Sequence, residues 1–261
     1  MTEKDLQFYR NWYQDYSNSF HTSDEEAWKH HSLKIEHTDH VCIHIAGIAR
    51  DLSLGNREVM LAKTIALFHD LGRFRQYSEF KTFQDRKSKN HGLLAALTLI
   101  KNNVLRDLPE DEKNLILQSV KFHNAYAIPN IFDDYSTLFL KMIRDADKLD
   151  IFRVFIKYYE SPSEEKASET AFGLPDTDDY SKTVISSLHK RRTASYRSLR
   201  TENDFKLLKL SWIYGLHFNY SLRLVQEKEY IKILAEKLPQ TDEIRSAVAA
   251  VEYYVKEKLV K

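Results

Sequence analysis

The run IALFHDLGRF, Ile65 to Phe74, is the most informative stretch of the chain. Ile65, Ala66, Leu67 and Phe68 are apolar without a break, and two polar residues, His69 and Asp70, then follow directly. An apolar run of this kind, begun by Asn56 as a cap and carrying Val59, Leu61, Ile65, Ala66 and Phe68, predicts a buried helix that stops at Gly72. A carboxylate at the buried end of such a helix is costly unless it is paired or bound to a cation. The adjacent imidazole therefore points to a ligand that His69 and Asp70 share.

The rest of the chain is read around that helix. Only 6 glycines and 5 prolines occur in 261 residues, where average usage would give roughly 18 and 13. So few breakers favour long helices over many short strands, and the expected class is all-α. Helices are predicted over 3–20, from a Thr22 or Ser23 cap to about 52, and from 56 to 72. Others follow at about 90–102, 109–122, 134–159, 163–172, 177–200, 203–237 and 241–260. In the first, Phe8, Trp12 and Tyr16 should face inward. The polar, basic stretch 76–89 is read as a loop with at most one helical turn.

Composition narrows the function classes. Hydrophobic residues make up 43% and charged residues 30%, with 39 basic and 38 acidic side chains for a net charge of +1. That balance gives no electrostatic basis for bulk nucleic-acid or membrane binding. No apolar run approaches the roughly 20 residues needed to span a bilayer, and the start of the chain does not read as a signal peptide. One cysteine, Cys42, fits a reducing compartment, and the expected location is cytoplasmic.

Of the eleven histidines, several fall at helix ends or on shared faces. His37, His40 and His44 are spaced three and four apart, near one side of a helix. His91 opens a helix and His123 closes one. In FLKMIRDADKLDIF, Asp147 lies four residues from both Ile143 and Ile151 and so shares the apolar face, whereas Asp145 and Asp150 are read as a solvated acidic face. In order the set is His, His-Asp, His, His, Asp. These imidazole and carboxylate donors suit Mn²⁺, Fe²⁺, Zn²⁺ or Mg²⁺, and only a helix bundle can converge residues so far apart in sequence.

The segments HTDHV (37–41), IALFHDLGRF (65–74), HGLLAA (91–96), VKFHN (120–124) and IRDADKLD (143–150) resemble the HD superfamily of metal-dependent phosphohydrolases over roughly residues 25–160. The resemblance implies an HD-domain helical core, expected over 1–160 with the N-terminal helix included; Ser161-Pro162-Ser163 and Gly173-Leu174-Pro175 are the candidate boundaries to a C-terminal helical extension, 161–261, expected to pack on it. The resemblance also implies metal ligation by His37, His69, Asp70, His91, His123 and Asp147, with His37 chosen over His40 and His44. His91 and His123 look like the bimetal branch, in which the doublet Asp bridges two ions. Divalent metal, as one or two ions, is the implied cofactor. The implied reaction is hydrolysis of a phosphoester or phosphoanhydride in a small nucleotide-like substrate by a metal-activated hydroxide. Asp70 is then catalytic, and Arg73 and Lys148 are the cations expected to orient the substrate. A di-iron oxygenase and a non-catalytic nucleotide-binding sensor use the same ligand pattern and are the alternatives. No Gly-Tyr-Pro signature of the cyclic-di-GMP hydrolases occurs.

Overall fold

A computed structural model describes residues 1–161 and 173–260. Among these residues the regular structure is helical, with no strand. Two compact units divide at Asp150/Ile151, ten residues before the boundary expected from sequence.

The first unit, Met1–Asp150, contains α1 (Glu3–Asn18), α2 (Glu25–Asp51), α3 (Asn56–Phe68), α4 (Leu71–Phe80), α5 (His91–Lys101), α6 (Glu110–Phe122) and the first part of α7 (Asp134–Glu160). Val41, Ile45 and Ile48 of α2, Ile65 and Phe68 of α3, Phe74 of α4, Ile116 and Val120 of α6, and Phe139 and Ile143 of α7 are all fully buried. This apolar interior is the chief stabilising term. Helix α1 covers one side of it: Tyr9 and Trp12 meet Phe68 edge-on, and Tyr13 and Tyr16 meet Phe74.

The buried stripe of α1 is Leu6, Tyr9, Tyr13 and Ser17, whereas Phe8 is exposed and Trp12 and Tyr16 lie at the edge. Aromatic spacing alone misplaced the face by one residue, because helical neighbours at i and i+1 both carry large rings. The α2 cap is Asp24, whose side chain accepts from the Ala27 amide, and α3 starts after Gly55 rather than on an Asn56 cap. The helix expected to stop at Gly72 already ends at Phe68. Asp70 leaves helical geometry (φ −100°, ψ 11°), and α4 then runs through most of the predicted loop start.

Gly72 and Gly92 explain how closely these helices approach. A Cβ at Gly72 would overlap the His91 carbonyl oxygen and stand 2.8 Å from the Ala95 amide nitrogen. At Gly92 it would lie 2.8 Å from the Lys121 carbonyl oxygen. Only glycine permits backbones to come this near.

The second unit, Ile151–Lys261, contains α8 (Lys182–His189), α9 (Glu202–Ser211), α10 (Asn219–Glu227), α11 (Tyr230–Glu236) and α12 (Asp242–Val260). The helix predicted over 163–172 lies outside the described residues. That predicted over 177–200 shrinks to α8, ended by left-handed Arg191 (φ 52°). The long helix predicted over 203–237 is cut into three, with an extended Leu216 (ψ 138°) and a left-handed Glu229 (φ 50°) at the breaks. Good helix formers at both sites hide these breaks from a propensity reading. Among the described residues no helix is long and apolar enough to cross a membrane.

Candidate metal centre

The helix ends of the first unit converge. His37 comes from the middle of α2, His69 and Asp70 from the α3–α4 junction, His91 from the first position of α5, His123 from the residue after α6, and Asp147 from α7. His37, His69, Asp70, His91 and His123 are buried, and Asp147 keeps about a fifth of its side chain exposed. His37, His69 and Asp70 form one triad of donor atoms, all within 4.8 Å of one another. Asp70, His91 and His123 form a second on the same criterion. Among the described residues neither His40 nor His44 joins a triad.

Asp70 turns one oxygen to each triad. Its Oδ2 lies 3.6 Å from His37 Nε2 and 3.8 Å from His69 Nε2, and its Oδ1 lies 3.4 Å from His91 Nε2 and 3.9 Å from His123 Nε2. Asp147 Oδ1 stands 3.2 Å from His37 Nε2 and 3.9 Å from His69 Nε2.

The outer ring nitrogens fix the tautomers. His69 Nδ1 donates to the Ala66 carbonyl at 2.7 Å and His123 Nδ1 to the Val120 carbonyl at 2.8 Å. A carbonyl oxygen can only accept, so the proton of each neutral ring sits on Nδ1 and the Nε2 lone pair faces inward. His37 Nδ1 meets Asp150 at 2.6 Å, and His91 Nδ1 meets both oxygens of Asp85 at 2.9 Å. Inside the site, His37 Nε2 and His69 Nε2 are 3.2 Å apart, and His91 Nε2 and His123 Nε2 are 3.0 Å apart. Lone pairs and anionic oxygens packed this closely in a buried space call for a cation. The donor set therefore fits divalent metal.

The electrostatics agree. Burial lowers the pKa of His69, and it takes His91 and His123 down to about 4, which keeps these rings neutral. For His37 burial opposes charge, but the hydrogen bonds to Asp147 and Asp150 prevail and raise its pKa. Burial would raise the carboxyl of Asp70. Lys34 first, then Arg73, His69 and His91, more than reverse this and hold it well below the usual carboxylate range.

Several surrounding residues depart from the sequence reading. Asp150, read as solvated, is fully buried against His37, and Asp145 is buried as well. Asp150 was legible in principle: it is three residues from Asp147 on the same helix and shares its face. Lys34, three residues before His37, donates to Asp70 Oδ2 at 2.7 Å and was not singled out. Asp85 accepts from Gln76 and Asn124 and pairs with Arg73. No periodicity marks a residue in so polar a stretch.

Arg73 is engaged at 3.3 Å with Asp70 and also donates to Gln76 and to the Phe83 carbonyl. Lys148 donates to the Arg144 carbonyl at 3.2 Å, and burial brings its pKa down to about 8. Segment 81–90 contains the single expected turn, at Asp85–Lys87. Gln76 Nε2 stitches it down through Asp85, Ser88 and the Lys89 carbonyl, leaving Arg86, Lys87 and Lys89 exposed.

No curated protein and no solved structure matches the chain. A family model does: the one described as HD domain matches residues 35–151, a span that includes His37, His69, Asp70, His91, His123 and Asp147. The ligand order, the two triads and that match agree, and this part of the chain is an HD domain.

Proposed function

We propose that the chain is a metal-dependent phosphohydrolase that holds two divalent ions and cleaves a phosphoester or phosphoanhydride bond in a small nucleotide-like substrate. One observation carries this reading: Asp70 offers Oδ2 to one histidine pair and Oδ1 to the other. That arrangement suits a carboxylate shared by two ions. Bound divalent ions would supply Lewis acidity toward phosphate oxygens and a water of lowered pKa.

The chain's own residues set up that chemistry. His37, His69, Asp70 and Asp147 would hold one ion, and Asp70, His91 and His123 the other. Neutral His69, His91 and His123 remain donors rather than competing cations. Arg73 fixes Asp70 from the α4 side and is proposed to hold it in place as substrate charge approaches. Lys148, next to Asp147, is the proposed cation for the substrate phosphate. The single cysteine is compatible with a reducing cytoplasm.

The test is release of product from a panel of phosphodiesters and nucleotides with added Mn²⁺ or Fe²⁺. His69→Ala and Asp70→Ala should each abolish release. Turnover that survives both substitutions rejects the reading.

A further inference from the structure

The two triads are built unequally. The first gathers His37, His69 and Asp70 with Asp147 close by, so two carboxylates face that position. The second has Asp70, His91 and His123, with the one carboxylate that it shares. For a divalent cation, more anionic donors give tighter binding.

The residues behind the histidines differ too. His37 is backed by Asp150, which is fully buried on α7. His91 is backed by Asp85, on the segment between α4 and α5, with 29% of its side chain exposed. Asp85 also takes hydrogen bonds from Gln76 Nε2 and Asn124 Nδ2, both at 2.9 Å, and pairs with Arg73 Nη1 at 3.4 Å. Its charge is divided among four groups, and its position depends on segment 81–90 staying down. A carboxylate behind a ligating imidazole orients the ring and strengthens it as a donor. A partly exposed, shared carboxylate supplies less of this than a buried one.

We propose that the centre is graded: a tightly held ion at His37, His69, Asp70 and Asp147, and an exchangeable ion at Asp70, His91 and His123 whose affinity is set by Asp85. Asp85 is a positioning residue, acting through His91. Occupancy of the weaker position then follows both the metal supply and the placement of segment 81–90. The inference rests on the two-ion reading given above.

The test is a binding isotherm of ion-free protein titrated with Mn²⁺, with free Mn²⁺ read by its paramagnetic resonance signal. Two classes of one ion each are expected. Asp85→Asn should weaken only the weaker class, by about 10–100-fold, and Asp150→Asn should weaken the tighter one. If Asp85→Asn does not fold, Asn124→Ala, which removes one donor to Asp85, should weaken the same class alone. A single class in the native protein overturns the proposal. So does a variant at Asp85 or Asn124 that moves both classes together or neither. Hydrolysis is scored separately: two classes with no product from any substrate sink the hydrolase reading and leave the graded centre standing.

Discussion

Lys34 Nζ reaches from α2 to within 2.7 Å of Asp70 Oδ2, across the α3–α4 junction. This ammonium is the protein cation nearest to a buried carboxylate, and it lies 5.2 Å from the Phe83 ring centroid. Arg73 supplies a second cation to the other oxygen. Replacing Lys34 with methionine keeps the stem and removes the charge. The ion-free protein should lose about 1–3 kcal/mol, the usual cost of leaving a buried polar group short of a partner. Added Mn²⁺ should restore part of it. Melting in chelator and in Mn²⁺ measures the gap between the two states, which should widen in Lys34→Met. An unchanged gap would show that Lys34 does not act on Asp70.

Gly72→Ala places a methyl group against the backbone of α5. Neither the His91 carbonyl nor the Ala95 amide can yield as a flexible side chain would. A loss of about 1–3 kcal/mol is expected from overpacking, together with weakened Mn²⁺ binding, because the displaced backbone carries His91. Gly55→Ala is the control: its added Cβ meets only the mobile carboxylate end of Glu58. Urea melts should leave that variant within about 0.5 kcal/mol of the native protein.

Arg144 Nη1 donates to the carbonyls of His123 and Ala125 and so ties α7 to the end of α6. Both bonds come from the one nitrogen, and a lysine ammonium has N–H groups enough for both but ends one bond short of the Nη1 position. Both Arg144→Ala and Arg144→Lys should therefore speed amide exchange over residues 122–126 and weaken Mn²⁺ binding. Full protection in Arg144→Lys would argue that charge alone suffices there.

His31 gives a pH dependence. Its ring stacks on Phe74 at 5.6 Å and meets Tyr77 edge-on, and its Nδ1 finds no hydrogen-bond partner among the described residues. Burial, then repulsion from His30 and Lys81, takes its pKa down to about 4. The unfolded chain, near 6.5, binds the proton first as the pH falls. Stability is thus whole above about 6.5 and is lost progressively toward 4. His31→Phe should show a shallower loss across that window in denaturant melts. Parallel curves for the two proteins would count against this assignment.

The helical class and the order of the candidate donors were legible because apolar runs and donor types are local features. His69 and Asp70 stand out against Leu67 and Phe68 in any reading. The breaks at Glu229 and Arg191 were not legible, since both residue types favour helix and adopt left-handed backbone only in context. Asp150 could have been placed by its spacing from Asp147. Asp85 could not, because only the folded chain brings it to His91, and Lys34 likewise gains its role from a carboxylate 36 residues away.

The close passage of three helix backbones has a consequence for judging other chains. Donor residues can all be kept while the scaffold that gathers them is lost. A sequence with every histidine and aspartate of this set in order, but a bulkier residue at the equivalent of Gly72 or Gly92, would have the lettering of a metalloenzyme without its geometry. Screening for relatives of this chain should therefore weigh two glycines, whose side chains have almost no atoms, as heavily as the six candidate donors they help to gather.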